Sequence, residues 1–180
     1  RLAPFKNIDR IIMSLKQIAF EEENIKLFIV GDGPERQNLE ILVKKLKLEN
    51  TVVFTGQLVE EELDKFYKNS DIYIQASGYE GMPHTLLEAI SHNLSIISTP
   101  IGGTNEILEN DTNGWTVELV DGKYPSEKEI ATKITHVVNN KQQDGIKKNR
   151  ARKLLIENFD KNVNFEKYVN TIESFNKNAK

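Results

Sequence analysis

Apolar residues recur along this chain at two spacings, and the switches between them mark out short strands and amphipathic helices. Ile8, Ile11, Ile12, Leu15, Ile18 and Ala19 return every three or four positions, which predicts a helix over Asn7 to Phe20. Lys26 to Val30 is a continuous apolar run of strand length, the pattern of a strand covered on both faces. Gly31-Asp-Gly-Pro34 then turns the chain, with Pro34 suited to the first position of a helix whose buried stripe is Leu39, Leu42, Val43 and Leu46. Thr51 to Thr55 reads as a strand, and Leu63, Phe66 and Tyr67 mark the helix after it. Asp71 to Ala76 is a further strand, followed by a helix from Thr85 to Ser91 that buries Leu86, Leu87 and Ile90. Leu94 to Ser98 is another strand, and Thr104 is placed to cap a short helix ending near Leu108.

Beyond it, Asn113-Gly114 signals a turn and Trp115 to Leu119 a last short strand. Ser126 and Glu129 have capping-box spacing ahead of Ile130, Ile134, Val137 and Val138. Lys141 to Asn158 is helical in character, and Val163, Phe165, Tyr168, Val169, Ile172 and Phe175 describe a terminal helix within 160–180. No internal repeat or low-complexity linker interrupts the series. Strands alternating with helices through short loops predict an α/β domain over residues 1–180, a parallel sheet with helices on both faces followed by C-terminal helices. Ligands of such sheets sit at the carboxyl ends of the strands. Four unusual loops lie there: Arg1 to Lys6, Gly31 to Pro34, Ser77 to His84, and Thr99 to Gly103.

Composition narrows the partners. A formal charge of −3 gives no basic stripe for nucleic acid. The chain has no cysteine, which excludes disulfides and thiolate metal sites and suits a cytoplasmic setting. No apolar run approaches the ~18 residues of a membrane span. The sequence opens on Arg1, ahead of a loop whose strand is missing, so it reads as a piece of a longer polypeptide.

The chemistry concentrates between Ser77 and Glu88. Small and turn-forming residues lead through Gly81, Met82 and Pro83 into a helix that His84 or Thr85 is placed to cap. The first amides of that helix are unpaired and aimed out of the sheet, a terminus that attracts phosphate. Glu80 in the loop and Glu88 about one turn into the helix need another task, because a carboxylate repels phosphate. Sugar hydroxyls suit them, since one carboxylate accepts two. Each also has an ordinary explanation: a solvated loop glutamate, and an early-helix charge that complements the dipole.

Glu80-Gly-Met-Pro-His-Thr-Leu-Leu-Glu88-Ala, followed by Ser98-Thr-Pro-Ile-Gly-Gly103-Thr-Asn-Glu106-Ile, resembles the donor-site signature of retaining GT-B glycosyltransferases, glycosyltransferase family 4 (group 1). The resemblance runs from Arg1 to roughly Gly114. It implies the C-terminal half of a GT-B fold, Rossmann-like, with an amino-terminal acceptor domain absent from this chain. Glu80 would hold the transferred sugar near its reacting carbon, and Glu88 would bind the ribose. The amides of Thr85 and Leu86 would face the diphosphate, which Arg1 and Lys6 would grip. Gly31 and Gln57 would lie near the base and diphosphate, and Gly102 and Gly103 would allow close approach of the ligand. His84 is left as a cap or a contact to the donor sugar.

Gly31-Asp-Gly-Pro34 is only superficially a dinucleotide fingerprint, because its third glycine is replaced by Arg36. His92 and His136 have no metal-ligand partner nearby in sequence. The chain also lacks Asp-X-Asp, the metal-binding motif of the other main glycosyltransferase fold, so no metal or other cofactor is expected. The implied activity is transfer of a hexosyl group from a nucleotide-sugar donor, a UDP-sugar, to a glycan or lipid-linked acceptor in cell-envelope polysaccharide or glycoconjugate synthesis. The implied location is the cytoplasm, peripheral to the membrane face in the full protein. The rivals are a catalytically silent glycosyltransferase-like subunit that stabilises a partner, and a sugar-nucleotide epimerase of the same fold.

Overall fold

The computed structural model of the chain describes residues 1–18, 25–160 and 163. After a short 3-10 turn at Pro4–Lys6 come α1 (Ile8–Ile18), β1 (Leu27–Val30), α2 (Arg36–Leu46) and β2 (Val52–Gly56). Next are α3 (Glu60–Lys68), β3 (Ile72–Gln75), α4 (His84–Ser91), β4 (Ser95–Ser98) and α5 (Thr104–Ile107). Three two-residue strands follow, β5 (Trp115–Thr116), β6 (Leu119–Val120) and β7 (Tyr124–Pro125), then α6 (Glu127–Asn139) and α7 (Lys141–Phe159). Apart from Val163, the expected terminal helix lies outside the described residues, as do Ala19 and Phe20 of the first one.

Strand β4 explains the layering. All four of its residues are buried, and successive side chains point to opposite faces. Ile97 joins a core with Ile11, Ile12, Leu15, Leu39, Val43, Ile130 and Ile134, contributed by α1, α2 and α6. Its neighbour Ile96 joins a second core with Tyr67, Leu86, Ala89, Ile90, Ile107 and Ala151, contributed by α3, α4, α5 and α7. Helices therefore cover both faces, as expected of the α/β class. Full burial of a side chain such as Leu86, at 0% exposure, contributes about 2 kcal/mol.

Several details depart from the sequence expectation. The parallel strands fall into two sheets, β1-β2 and β3-β4-β5, rather than one. Both contribute to the same core, through Ile29 and Val52 on one side and Ala76, Ile97 and Trp115 on the other. Residues Leu2 to Asn7 bridge the two. The Leu2 amide donates to Asp32 O (2.9 Å), the Gly78 amide to Phe5 O (2.7 Å), and the Asn7 side chain to Ala76 O (2.9 Å). β1 is not covered on both faces: Phe28 is 40% exposed and meets Phe66 edge-on, with ring centroids 5.2 Å apart. Pro34 lies in a turn two residues ahead of α2. The expected strand Trp115 to Leu119 breaks, with β5 joining β4 in parallel and β6 pairing β7 in a hairpin. Asp121 and Gly122 both have positive φ (53° and 67°) at its turn, the Asp-Gly signature of a tight hairpin.

None of the expected capping side chains caps. Pro83 is the N-cap of α4 and Gly103 that of α5. Ser126 is at the N-cap of α6 but makes no side-chain cap bond. For the two threonines the reason is position: Thr85 is the second residue of α4 and Thr104 the first of α5, past the N-cap from which a hydroxyl reaches the first amides. Their hydroxyls meet β3 instead, Thr85 Oγ1 lying 2.7 Å from the Tyr73 hydroxyl and Thr104 Oγ1 accepting from Gln75 Nε2 (3.3 Å). Nothing in the structure accounts for Ser126.

Candidate active site

The carboxyl ends of β1, β3 and β4 carry three of the four loops that the sequence singled out, Gly31 to Pro34, Ser77 to His84 and Thr99 to Gly103; the fourth, Arg1 to Lys6, follows no described strand. At β1, the Gly31 amide donates to Gly56 O at the end of β2 (2.7 Å), so these two turns abut, and exposed Gln57 follows directly. Arg1 borders them, its backbone nitrogen 3.7 Å from where a Cβ of Gly31 would stand. Its side chain is exposed and has no ion-pair partner among the described residues.

Lys6 and Glu80, 74 residues apart, meet at the end of β3: Lys6 Nζ is 2.5 Å from Glu80 Oε1. The same oxygen accepts from Ser77 Oγ at 2.6 Å. Ser77 is fixed in turn, because its carbonyl takes the Thr99 hydroxyl at 2.6 Å. With side chains 29% and 12% exposed, the pair is sheltered on the Glu80 side and open on the Lys6 side. Glu80 Oε2 has no partner among the described residues. A half-buried carboxylate with one oxygen doubly bonded is oriented, and its second oxygen is left to accept a ligand hydroxyl.

The backbone beneath this loop is held by the loop after β4. The Gly103 amide donates to Gly81 O (2.9 Å), and a Cβ on Gly102 would run into the Glu80 carbonyl oxygen. Gly102 also has φ +49°, a region that side chains disfavour. These glycines therefore support Glu80 from below. Met82, 39% exposed, lies over Gly103.

Pro83 starts α4 and, being proline, brings no N–H. Its carbonyl accepts the amides of Leu86 (3.0 Å) and Leu87 (3.4 Å). This corrects the assignment of Leu86: its amide is bonded and its side chain is core. The amides of His84 and Thr85 are the ones without an acceptor among the described residues, and both residues are exposed. The anion-attracting character of the helix start rests on those two.

Glu88 is exposed one turn on, and its Oε2 accepts the Tyr67 hydroxyl (2.9 Å). Tyr73 joins the two carboxylates electrostatically. Burial pushes its hydroxyl up to about 12, and Glu80 and Glu88 both push in the same direction against the Thr85 hydrogen bond. Both glutamates therefore lie near enough to Tyr73 to disfavour its ionisation. Burial, then the Glu88 carboxylate, likewise raises the pKa of Tyr67 and keeps it a proton donor.

Sequence reasoning missed Tyr67 and Tyr73 as parts of the site, and gave Ser77, inside the loop it singled out, no role of its own. Tyr67 stood in a buried helical stripe and Tyr73 in a strand, where an apolar residue would fit as well. Their signal was the hydroxyl, because a buried tyrosine needs a partner for it. His92 bonds to Asp64 (2.9 Å), and no group of three or more His, Asp or Glu among the described residues could hold a metal ion.

Residues 1–158 match the family model described as glycosyl transferases group 1, and the chain belongs to that family. An uncharacterised glycosyltransferase of Methanocaldococcus jannaschii is 36% identical over 124 residues, 68% of this chain and 30% of that protein. HepE of Anabaena, solved in complex with UDP, superposes with a TM-score of 0.84 at 22% identity, covering 97% of this chain and 47% of HepE. The C-terminal domain of a group 1 glycosyl transferase from Francisella tularensis superposes with a TM-score of 0.79 at 22% identity, over 89% of this chain and 83% of that domain. In fold this is a C-terminal GT-B glycosyltransferase domain. The chain spans about a third, 30%, of the length of the curated relative. No helix among the described residues is long and apolar enough to cross a membrane.

Proposed function

We propose that the chain is the donor-binding domain of a transferase that moves a hexosyl group from a UDP-sugar to a glycan or lipid-linked acceptor, with retention at the anomeric carbon. An amino-terminal domain outside this chain would carry most of the acceptor site. Glu80 holds hydroxyls of the transferred sugar beside its reacting carbon, and Glu88 accepts the ribose hydroxyls. Arg1, Lys6 and the free amides of His84 and Thr85 neutralise the departing diphosphate, a role that needs preorganised positive charge where negative charge develops. Gly31 and Gln57 line the base and diphosphate end, while Gly81, Met82 and Pro83 shape the sugar end. No metal enters this scheme, and no glycosyl-enzyme intermediate is assigned. The product's destination is cell-envelope polysaccharide or glycoconjugate, made at the cytoplasmic face of the membrane.

The observation that carries this reading is the Lys6–Glu80–Ser77 cluster standing at the loop that leads into α4. A cation and an oriented carboxylate are what a diphosphate ester of a sugar requires at its two ends. The UDP bound to HepE supports the choice of donor. Calorimetric titration of UDP into this chain tests it: saturable binding is expected. Absence of binding by a chain that still melts cooperatively would favour the silent subunit. In the complete protein, epimerised donor formed without any acceptor would favour the epimerase. The anomeric configuration of the product, read by NMR, tests retention.

A further inference from the structure

We propose that Tyr67 is a positioning residue for Glu88, fixing the carboxylate so that one oxygen faces the nucleotide and thereby setting the preference for ribonucleotide over deoxyribonucleotide donors. This rests on the reading of Glu88 as the ribose ligand. Glu88 is exposed, and an exposed glutamate explores many rotamers whose loss on binding opposes affinity. Tyr67 removes that freedom before any ligand arrives. It comes from a different helix, α3, and is 9% exposed. Its hydroxyl donates to Glu88 Oε2 at 2.9 Å, with a longer contact to Thr85 O at 3.4 Å. Glu88 Oε1 has no partner among the described residues and is left to accept.

The tyrosine is itself held from its far side. His92 stacks on the ring, with centroids 5.0 Å apart and planes 22° from parallel. His92 cannot drift, because Nε2 is 2.9 Å from Asp64 Oδ1 and Nδ1 is 2.8 Å from Glu88 O. Asp64 and Tyr67 belong to α3, whereas His92 follows α4 and Glu88 lies within it, so the clamp ties the two helices at the carboxylate. A neutral donor matters chemically. A lysine there would orient the carboxylate but cancel the charge that makes it a strong acceptor of ribose hydroxyls. Tyr67 orients it and leaves the charge in place.

The test compares UDP with 2′,3′-dideoxy-UDP by calorimetry on the chain and on Tyr67→Phe, Glu88→Ala and His92→Ala. The unaltered chain should prefer UDP by about tenfold, the scale of a charge-assisted hydrogen bond. Glu88→Ala should abolish the preference. Tyr67→Phe keeps the ring and its stacking, and should lower the preference to about threefold while leaving dideoxy-UDP binding unchanged. A preference retained in Tyr67→Phe but lost in Glu88→Ala overturns the positioning role and spares the ribose reading. A preference retained in Glu88→Ala overturns the ribose reading, and this proposal with it. Equal losses of both ligands in Tyr67→Phe would show a merely structural tyrosine. If Tyr67→Phe does not fold, His92→Ala decides, because releasing the ring must also reduce the preference, and an unchanged ratio overturns the proposal.

Discussion

Glu80, in the loop after β3, and Glu88, on α4, are held in opposite ways. Glu80 is sheltered in a loop, tied by a cation and a serine to one oxygen, and backed by the glycines of the following loop. Glu88 is exposed on a helix, and among the described residues its carboxylate is bonded by one neutral phenol. The first arrangement fixes a charge against its surroundings at the cost of desolvating it; the second leaves the charge in water and fixes only its direction. A group meant to act on a reacting carbon gains from the first, since its position must hold within a fraction of an ångström. A group meant to recognise a ribose gains from the second, since full acceptor strength matters more there.

The largest effect should come from Glu80→Gln in the complete protein, with transfer slowed at least about a hundredfold and UDP binding changed by less than about threefold. Steady-state kinetics beside calorimetry reads both. Equal losses would erase the distinction between the two carboxylates. Gly102→Ala should cost about 3 kcal/mol in a denaturant melt, from strained φ and collision with the Glu80 carbonyl. Lys6→Met leaves Glu80 paired only with Ser77. It should cost about 1 kcal/mol, since the pair is partly solvated, and weaken UDP more than Ser77→Ala does. An Lys6→Met chain that binds UDP normally would remove Lys6 from the diphosphate.

The smallest effect is a pH dependence around Glu88. The Asp64 hydrogen bond, then the Glu88 carbonyl, raises the pKa of His92 above its ordinary 6.5. A raised histidine contributes stability that is present below 6.5 and lost as the pH rises through its higher folded value. His92→Asn should therefore lower the melting temperature more at pH 6 than at pH 8.5, with a difference on the order of 1 °C. A larger loss at pH 8.5 would contradict the charged pairing.

The alternation of β and α elements was legible because burial imposes spacing, and the 3.6 and 2.0 periods are hard to counterfeit. The loops at the strand ends were legible for a related reason: Gly102, Gly103 and Pro83 mark backbone that must turn or approach closely. What lay outside its reach depended on partners far along the chain. Thr85 and Thr104 have the chemistry of caps, yet each bonds to a side chain from strand β3. Leu86 was read as a phosphate amide because the acceptor at Pro83 O is a matter of geometry, not of residue type. Asp121-Gly122 was legible and overlooked, since the run from Trp115 to Leu119 looked like a strand that needed no hairpin. Tyr67 needed both α3 and α4 in place before its hydroxyl had a meaning.

The hydrogen bond from Gly103 to Gly81, with the Glu80 carbonyl pressed against Gly102, has a consequence for how this surface can be redesigned. Two segments some twenty positions apart behave as a lock and its seat, so neither transplants without the other. A chimera that borrows only residues 77–83 from a relative should fold with the borrowed loop displaced, and restoring its native companion at 99–103 should return it to register.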